Sequence, residues 1–103
     1  MATQFDEGFY ARADAHIHLS NDQKNDPQAV QAGATPEMVN ASMMFAAARY
    51  CAWVSAGGFG SGGTMALGKK EITDYFVEGF RQMLEAHIDD YAKNFDAYMK
   101  PQP

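Results

Sequence analysis

The chain has 103 residues, which excludes a (β/α)8 barrel at about 250 residues and a full doubly wound dinucleotide-binding fold, and fits a single domain. With 47% hydrophobic and 20% charged residues, among them seven Phe, five Tyr and one Trp, it has material for a core and is not a disordered chain. A net charge of −5 argues against nucleic acid or an anionic membrane as principal partner, since both reward positive charge.

The lone Cys51 excludes an internal disulfide and suits a reducing compartment. No run of roughly 18 uncharged apolar residues is present, and the acidic start Met1-Ala-Thr-Gln-Phe-Asp-Glu7 lacks the basic, apolar opening of a signal peptide. A cytoplasmic protein without a membrane or nucleic-acid partner is expected.

The first helical pattern covers about 4–24. Phe5, Phe9, Ala13 and Ile17 recur every four residues, with Tyr10 and His16 flanking them. Thr3 is the expected N-cap, and Asp6 and Glu7 are placed in the first turn, where carboxylates suit the helix dipole. Asn25-Asp26-Pro27 signals a stop near Lys24, and 25–34, with Gly33, reads as a loop.

Thr35-Pro36-Glu37 opens the second helix with an N-cap, a proline at the first helical position and an acid in the first turn. From 36 to 56 it is apolar on nearly every face, which predicts a buried, central helix. The glycine-rich connector 57–63 ends it, and Thr64 is placed to cap a short turn. The last helix runs over about 69–99, with a stripe from Ile72 through Phe76, Phe80, Met83, His87 or Ile88, Tyr91 and Phe95 to Tyr98. Straight, it would be about 45 Å long, against a radius of gyration of about 13 Å for a compact chain of this size. It must overhang its domain, bend near Gly79, or pack on another chain, and Pro101 ends it. The expected fold is all-α: a single three-helix, bundle-like domain over 1–103, with a central apolar helix and a long C-terminal one.

Two motifs suggest chemistry their surroundings do not support. Asp14-Ala-His16-Ile-His18 reproduces the segment with which metal-dependent amidohydrolases begin. On a helix, however, its histidines point about 200° apart, where a metal pair needs spacing of three or four, and only His87 could join them. Gly58-Phe-Gly60-Ser-Gly62-Gly63 satisfies a dinucleotide-binding spacing, and Gly63 to Lys69 misses a P-loop at its last position, where Lys70 stands. Both motifs require a preceding strand; a helix precedes here, so the segment reads as a terminator and link. No catalytic residue, metal ligand or cofactor is expected.

Arg49 is the only charged side chain between Met38 and Gly68. A guanidinium on a buried helix must reach solvent or pair with a carboxylate, and Asp14, Asp74 and Glu78 are the candidates for a register-fixing ion pair. Alternatively Arg49, with Trp53 and the lysines Lys69 and Lys70 beside the glycine loop, could hold a carboxylate or phosphate. Cys51 has no activating neighbour and reads as an inert thiol.

Three stretches resemble a known family: Phe9-Tyr10-Ala-Arg-Ala-Asp14 with Ile17 and Leu19-Ser-Asn21; Ala46-Ala-Ala-Arg49-Tyr-Cys-Ala-Trp53-Val-Ser-Ala56; and Asp74-Tyr-Phe-Val-Glu78 through Met83-Leu-Glu85, Asp89-Asp90-Tyr91 and Asn94-Phe95. The chain, roughly from Phe5 to Phe95, is similar to the small proteobacterial proteins of domain of unknown function 3144. The resemblance implies a small bacterial helical protein, with no catalytic residue or cofactor to carry over.

The expected function is a non-enzymatic interaction or regulatory module that self-associates, with another protein as a further partner class. The alternative is a small-ligand or anion-binding protein with a site between helices near Arg49 and the glycine loop. Tyr91, Phe95 and Tyr98, beyond the reach of the two shorter helices, are expected to form the interface of a homodimer.

Overall fold

The computed structural model describes residues 6–100. Thr3, Phe5 and Pro101, assigned above to the ends of the first and last helices, lie outside them. The described residues are helical, without a strand, in the order α1 (Phe9–Asn25), α2 (Pro27–Gln31), α3 (Pro36–Ala56), α4 (Gly62–Leu67), α5 (Lys69–Lys93) and α6 (Phe95–Met99). The all-α expectation holds. The three long helices are those the periodicity predicts, and three short ones lie between or beyond them. The chain divides into two compact units, Met1–Tyr50 and Cys51–Pro103, and α3 contributes to both.

In the first unit α1 starts at Phe9, later than the sequence suggests, so Asp6 and Glu7 precede the helix instead of lying in its first turn. Asp6 works from outside it: its carbonyl accepts from the Phe9 amide at 3.0 Å, and its carboxylate pairs with Arg12 one turn in. The bond to that guanidinium lowers the pKa of the Asp6 carboxyl, and the carboxylate raises that of Arg12 in return.

The segment expected to be a loop contains α2. Asp26, extended before proline (ψ 123°), accepts the Ala29 amide at 2.9 Å and caps it, with Pro27 as the first helical residue. Gly33, at φ 93°, closes it: its amide reaches the Val30 carbonyl and the Ala34 amide reaches Ala29. This is a Schellman motif, which needs the left-handed backbone that glycine adopts freely. Thr35 Oγ1 then accepts the Met38 amide at 3.2 Å and starts α3.

Apolar on all sides as read from its sequence, α3 is nevertheless not buried. Met44, Phe45, Tyr50 and Trp53 are exposed, and Ser55 is the one buried residue among those described. The expectation of a central, enclosed α3 is therefore corrected. Composition set the helix's apolar character, but covering every face of it takes more surrounding helices than a chain of this length supplies. The closest helix packing is between sequence neighbours, α1 with α2, α4 with α5 and α5 with α6.

In the second unit, Ser61 rather than Thr64 caps α4, its Oγ accepting the Thr64 amide at 3.2 Å. The last two glycines of the connector therefore belong to the helix. The Phe59 ring lies over Gly68, where an added Cβ would stand 3.2 Å from it, and so helps seat the α4–α5 junction.

Candidate functional site

The second unit's outstanding surface is built on α5. At about 100° per residue, Val77, Phe80, Ile88 and Tyr91 all fall within roughly 40° of the direction of Leu84. They form one apolar seam, and its five side chains are 44 to 54% exposed. Ile72 and Phe76, earlier on the helix, are half-buried. A shallow groove of about 220 Å³ follows the seam, lined by Val77, Phe80, Arg81, Leu84, Glu85 and Ile88. All of these belong to α5, so the groove is a helix face rather than an enclosed cavity.

Charge flanks the seam. Arg81 lies 3.6 Å from Glu78 and 4.0 Å from Glu85, and Lys70 pairs with Asp74 at 2.6 Å. Each is an exposed pair within one helix, worth about 0.3–0.5 kcal/mol. Asp74 and Glu78, offered above as partners for Arg49, thus each hold a cation of α5.

The last helix, expected to run to Met99, breaks at Asn94. Asn94 leaves the helical region (φ −114°, ψ 30°), and α6 starts anew at Phe95. Asp90 organises the turn. One carboxylate oxygen accepts Asn94 Nδ2 at 2.8 Å and the other accepts the Tyr98 hydroxyl at 2.7 Å. The rings of Tyr91 and Tyr98 stack at 4.3 Å and 23°. Donating to a carboxylate favours the protonated phenol, which lifts the Tyr98 pKa above its ordinary value. Phe95 lies under the Lys100 ammonium, 5.9 Å from the ring centre, and that ammonium also pairs with Asp96 at 3.3 Å. The proposed interface residues are thus gathered at one hook. They remain 47 to 49% exposed.

The other sequence candidates are more dispersed. Arg49 is exposed in the first unit and makes no ion pair with Asp14 or any other carboxylate among that unit's described residues. Trp53, Lys69 and Lys70 belong to the second unit, all exposed. At the start of α4 the Thr64 amide is taken by Ser61 Oγ and the Met65 amide by the Ser61 carbonyl, so the glycine loop does not leave those donors for an anion. His16 and His18 are exposed on α1, helical as the spacing predicts, and no group of three His, Cys, Asp or Glu side chains suited to a metal occurs among the described residues. Cys51 is a free, half-exposed thiol. No described helix is long and apolar enough to cross a membrane.

Sequence reasoning missed the hook at Asn94. Its signal was present: asparagine four residues after aspartate, and a tyrosine four further on, supply the donors that one carboxylate can gather.

No curated protein and no solved structure matches the chain. Residues 9–92 match a family described as "Protein of unknown function (DUF3144)", a span that takes in α1, α2, α3, α4 and nearly all of α5. The chain belongs to that family of proteins of unknown function.

Proposed function

We propose that this protein is a non-enzymatic interaction module that self-associates through its helices, forming a homodimer by way of the face of α5 and the hook that follows it. The observation that carries the reading is the seam Val77, Phe80, Leu84, Ile88 and Tyr91, five large apolar side chains in line and about half exposed. Contiguous apolar patches of this kind mark contact surfaces, and a two-fold homodimer is the commonest way for a protein to cover one. The hook adds Phe95 and the stacked tyrosine pair to the same end of the helix. A cytoplasmic setting fits the acidic composition and the single free thiol. The ligand-binding alternative draws less support: Arg49, Trp53, Lys69 and Lys70 are exposed, and the Thr64 amide at the start of α4 is taken by Ser61 Oγ.

Sedimentation velocity at micromolar concentration tests the reading. The expected species has about twice the 11.3 kDa chain mass, and the Tyr91→Ala, Phe95→Ala double variant should shift it toward monomer. A wild-type chain that stays at 11.3 kDa up to the highest soluble concentration would overturn the proposal.

A further inference from the structure

We infer that α5 pairs with α5 of a second copy in antiparallel orientation, on a two-fold axis at Leu84. The inference rests on the self-association reading above and adds the orientation and register of the contact. An isologous interface must be self-complementary, so that if residue i meets residue j of the partner, j also meets i. The exposed seam has this property. Its members, Val77, Phe80, Leu84, Ile88 and Tyr91, are spaced three, four, four and three residues apart, a pattern that is the same read from either end.

Reversal about Leu84 sets Val77 against the partner's Tyr91 and Phe80 against the partner's Ile88, with the two leucines meeting on the axis. Each of the outer pairs joins a large aromatic to a smaller β-branched side chain. Facing helices fill space best when large and small positions alternate in this way, and helices that mesh along such a seam cross at about 20°.

Charge distinguishes the orientations. Arg81 and Glu85 project to the same side of the seam, roughly 60° and 100° around from Leu84. In an antiparallel pair, like-sided flanks face each other. Arg81 then lies within about 3 Å, measured along the axis, of the level of the partner's Glu85, and the two-fold repeats the contact; the two attractions offset the approach of the two Glu85 carboxylates to each other, also about 3 Å apart along the axis. Its contacts within its own helix, at 3.6 and 4.0 Å, are long enough to leave it available. In a parallel pair, the flank carrying Arg81 would face Met83 and His87 instead. The parallel arrangement would also bring the Asp89 and Asp90 ends of both helices together, a like-charge cluster that the antiparallel arrangement separates.

Pulsed electron–electron distance measurement on spin-labelled dimers tests the inference, with single labels at Gln82→Cys or Glu71→Cys in a Cys51→Ala background. Both positions point away from the seam, so labelling leaves it intact. The two-fold sets the paired Gln82 labels about 6 Å apart along the axis and the paired Glu71 labels about 39 Å apart. The expected result is a Glu71 distance longer than the Gln82 distance by well over 10 Å. Equal distances at the two positions would mean a parallel pair, overturning the inference while leaving self-association intact. Long distances at both would place the contact elsewhere and also overturn it. A monomer under the same conditions would overturn self-association itself, and this inference with it. As a check on the charge pairing, Arg81→Glu alone should weaken dimerisation about tenfold, and adding Glu85→Arg should restore most of the loss; no restoration would count against the register.

Discussion

At the residue scale, one glycine and one carboxylate settle local structure that their neighbours leave open. Gly33 is the only described residue at positive φ, 93°. Open space surrounds the position where a Cβ would stand, so an added methyl meets no neighbour; its cost is conformational. An L-residue in the left-handed region costs roughly 1–2 kcal/mol, and the Schellman closure of α2 depends on that conformation. Gly33→Ala should lower stability by about 1 kcal/mol in urea denaturation, while Gly60→Ala, also in open space but without a positive φ, should cost less. Equal losses would locate the requirement elsewhere. Asp90 is the second such position, because its two carboxylate oxygens gather Asn94 and Tyr98. The bond to Tyr98 raises the phenol's pKa above its ordinary value near 10, so the stabilisation is complete below that pH and is lost as pH rises through the raised value. A carbon-13 titration of the Tyr98 ring should show a midpoint above 10, and Asp90→Asn should bring it down. A midpoint unchanged by that substitution would mean the carboxylate is not its cause.

At the element scale, the helices were legible in the sequence to the degree that their signals are local. Thr35-Pro36 begins α3 where expected because cap and proline act within one turn, and the four-residue apolar recurrence marks α1 and α5 by itself. Asp26-Pro27 followed by Gly33 also carried the signature of a capped helix. It read as a loop because five residues are too few for hydrophobic periodicity to register. Ser61 outcompetes Thr64 as the cap of α4 for a similar reason: its extended backbone, ψ 161°, aims its oxygen at the amide three residues on, and one-dimensional spacing does not distinguish the two hydroxyls. The burial of α3 was not legible. An apolar composition records what a helix would gain by being covered, whereas the cover depends on elements that the helix's own sequence does not specify. The same applies to Arg49, whose isolation among apolar residues suggested a buried pair but whose helix leaves it exposed. Of the candidate site, Phe80, Ile88 and Tyr91 were readable as part of the expected stripe, whereas Val77 and Leu84 were not in it; the break at Asn94 was not readable either, because stripe periodicity continues through a turn that one carboxylate closes.

At the scale of the whole molecule, the energetics of a chain with so little buried surface predict how it unfolds. Burial of apolar area supplies most of the stability of a fold and most of its heat-capacity change on unfolding, about 1.2–1.5 kcal/mol/K for 100 residues. Among the described residues only Ser55 is buried, and its hydroxyl is satisfied within α3 by the Cys51 carbonyl at 2.8 Å. The large apolar side chains that would ordinarily form a core remain at the surface. A lone chain should therefore melt over a broad range with a small heat-capacity change, and a dimer should melt more sharply because its interface supplies the missing burial. A second copy that binds only the folded chain makes the melting temperature rise with protein concentration by mass action. Calorimetry across a hundredfold concentration range should show that rise in the wild type. Leu84→Lys should remove it while leaving helix content near its starting level at low concentration, because lysine is a good helix former but its ammonium cannot be buried at the axis of an apolar contact without a partner. A wild-type melting temperature independent of concentration, matched by the variant, would mean that the face of α5 contributes nothing to stability through assembly, and that the apolar seam must be accounted for by some other contact.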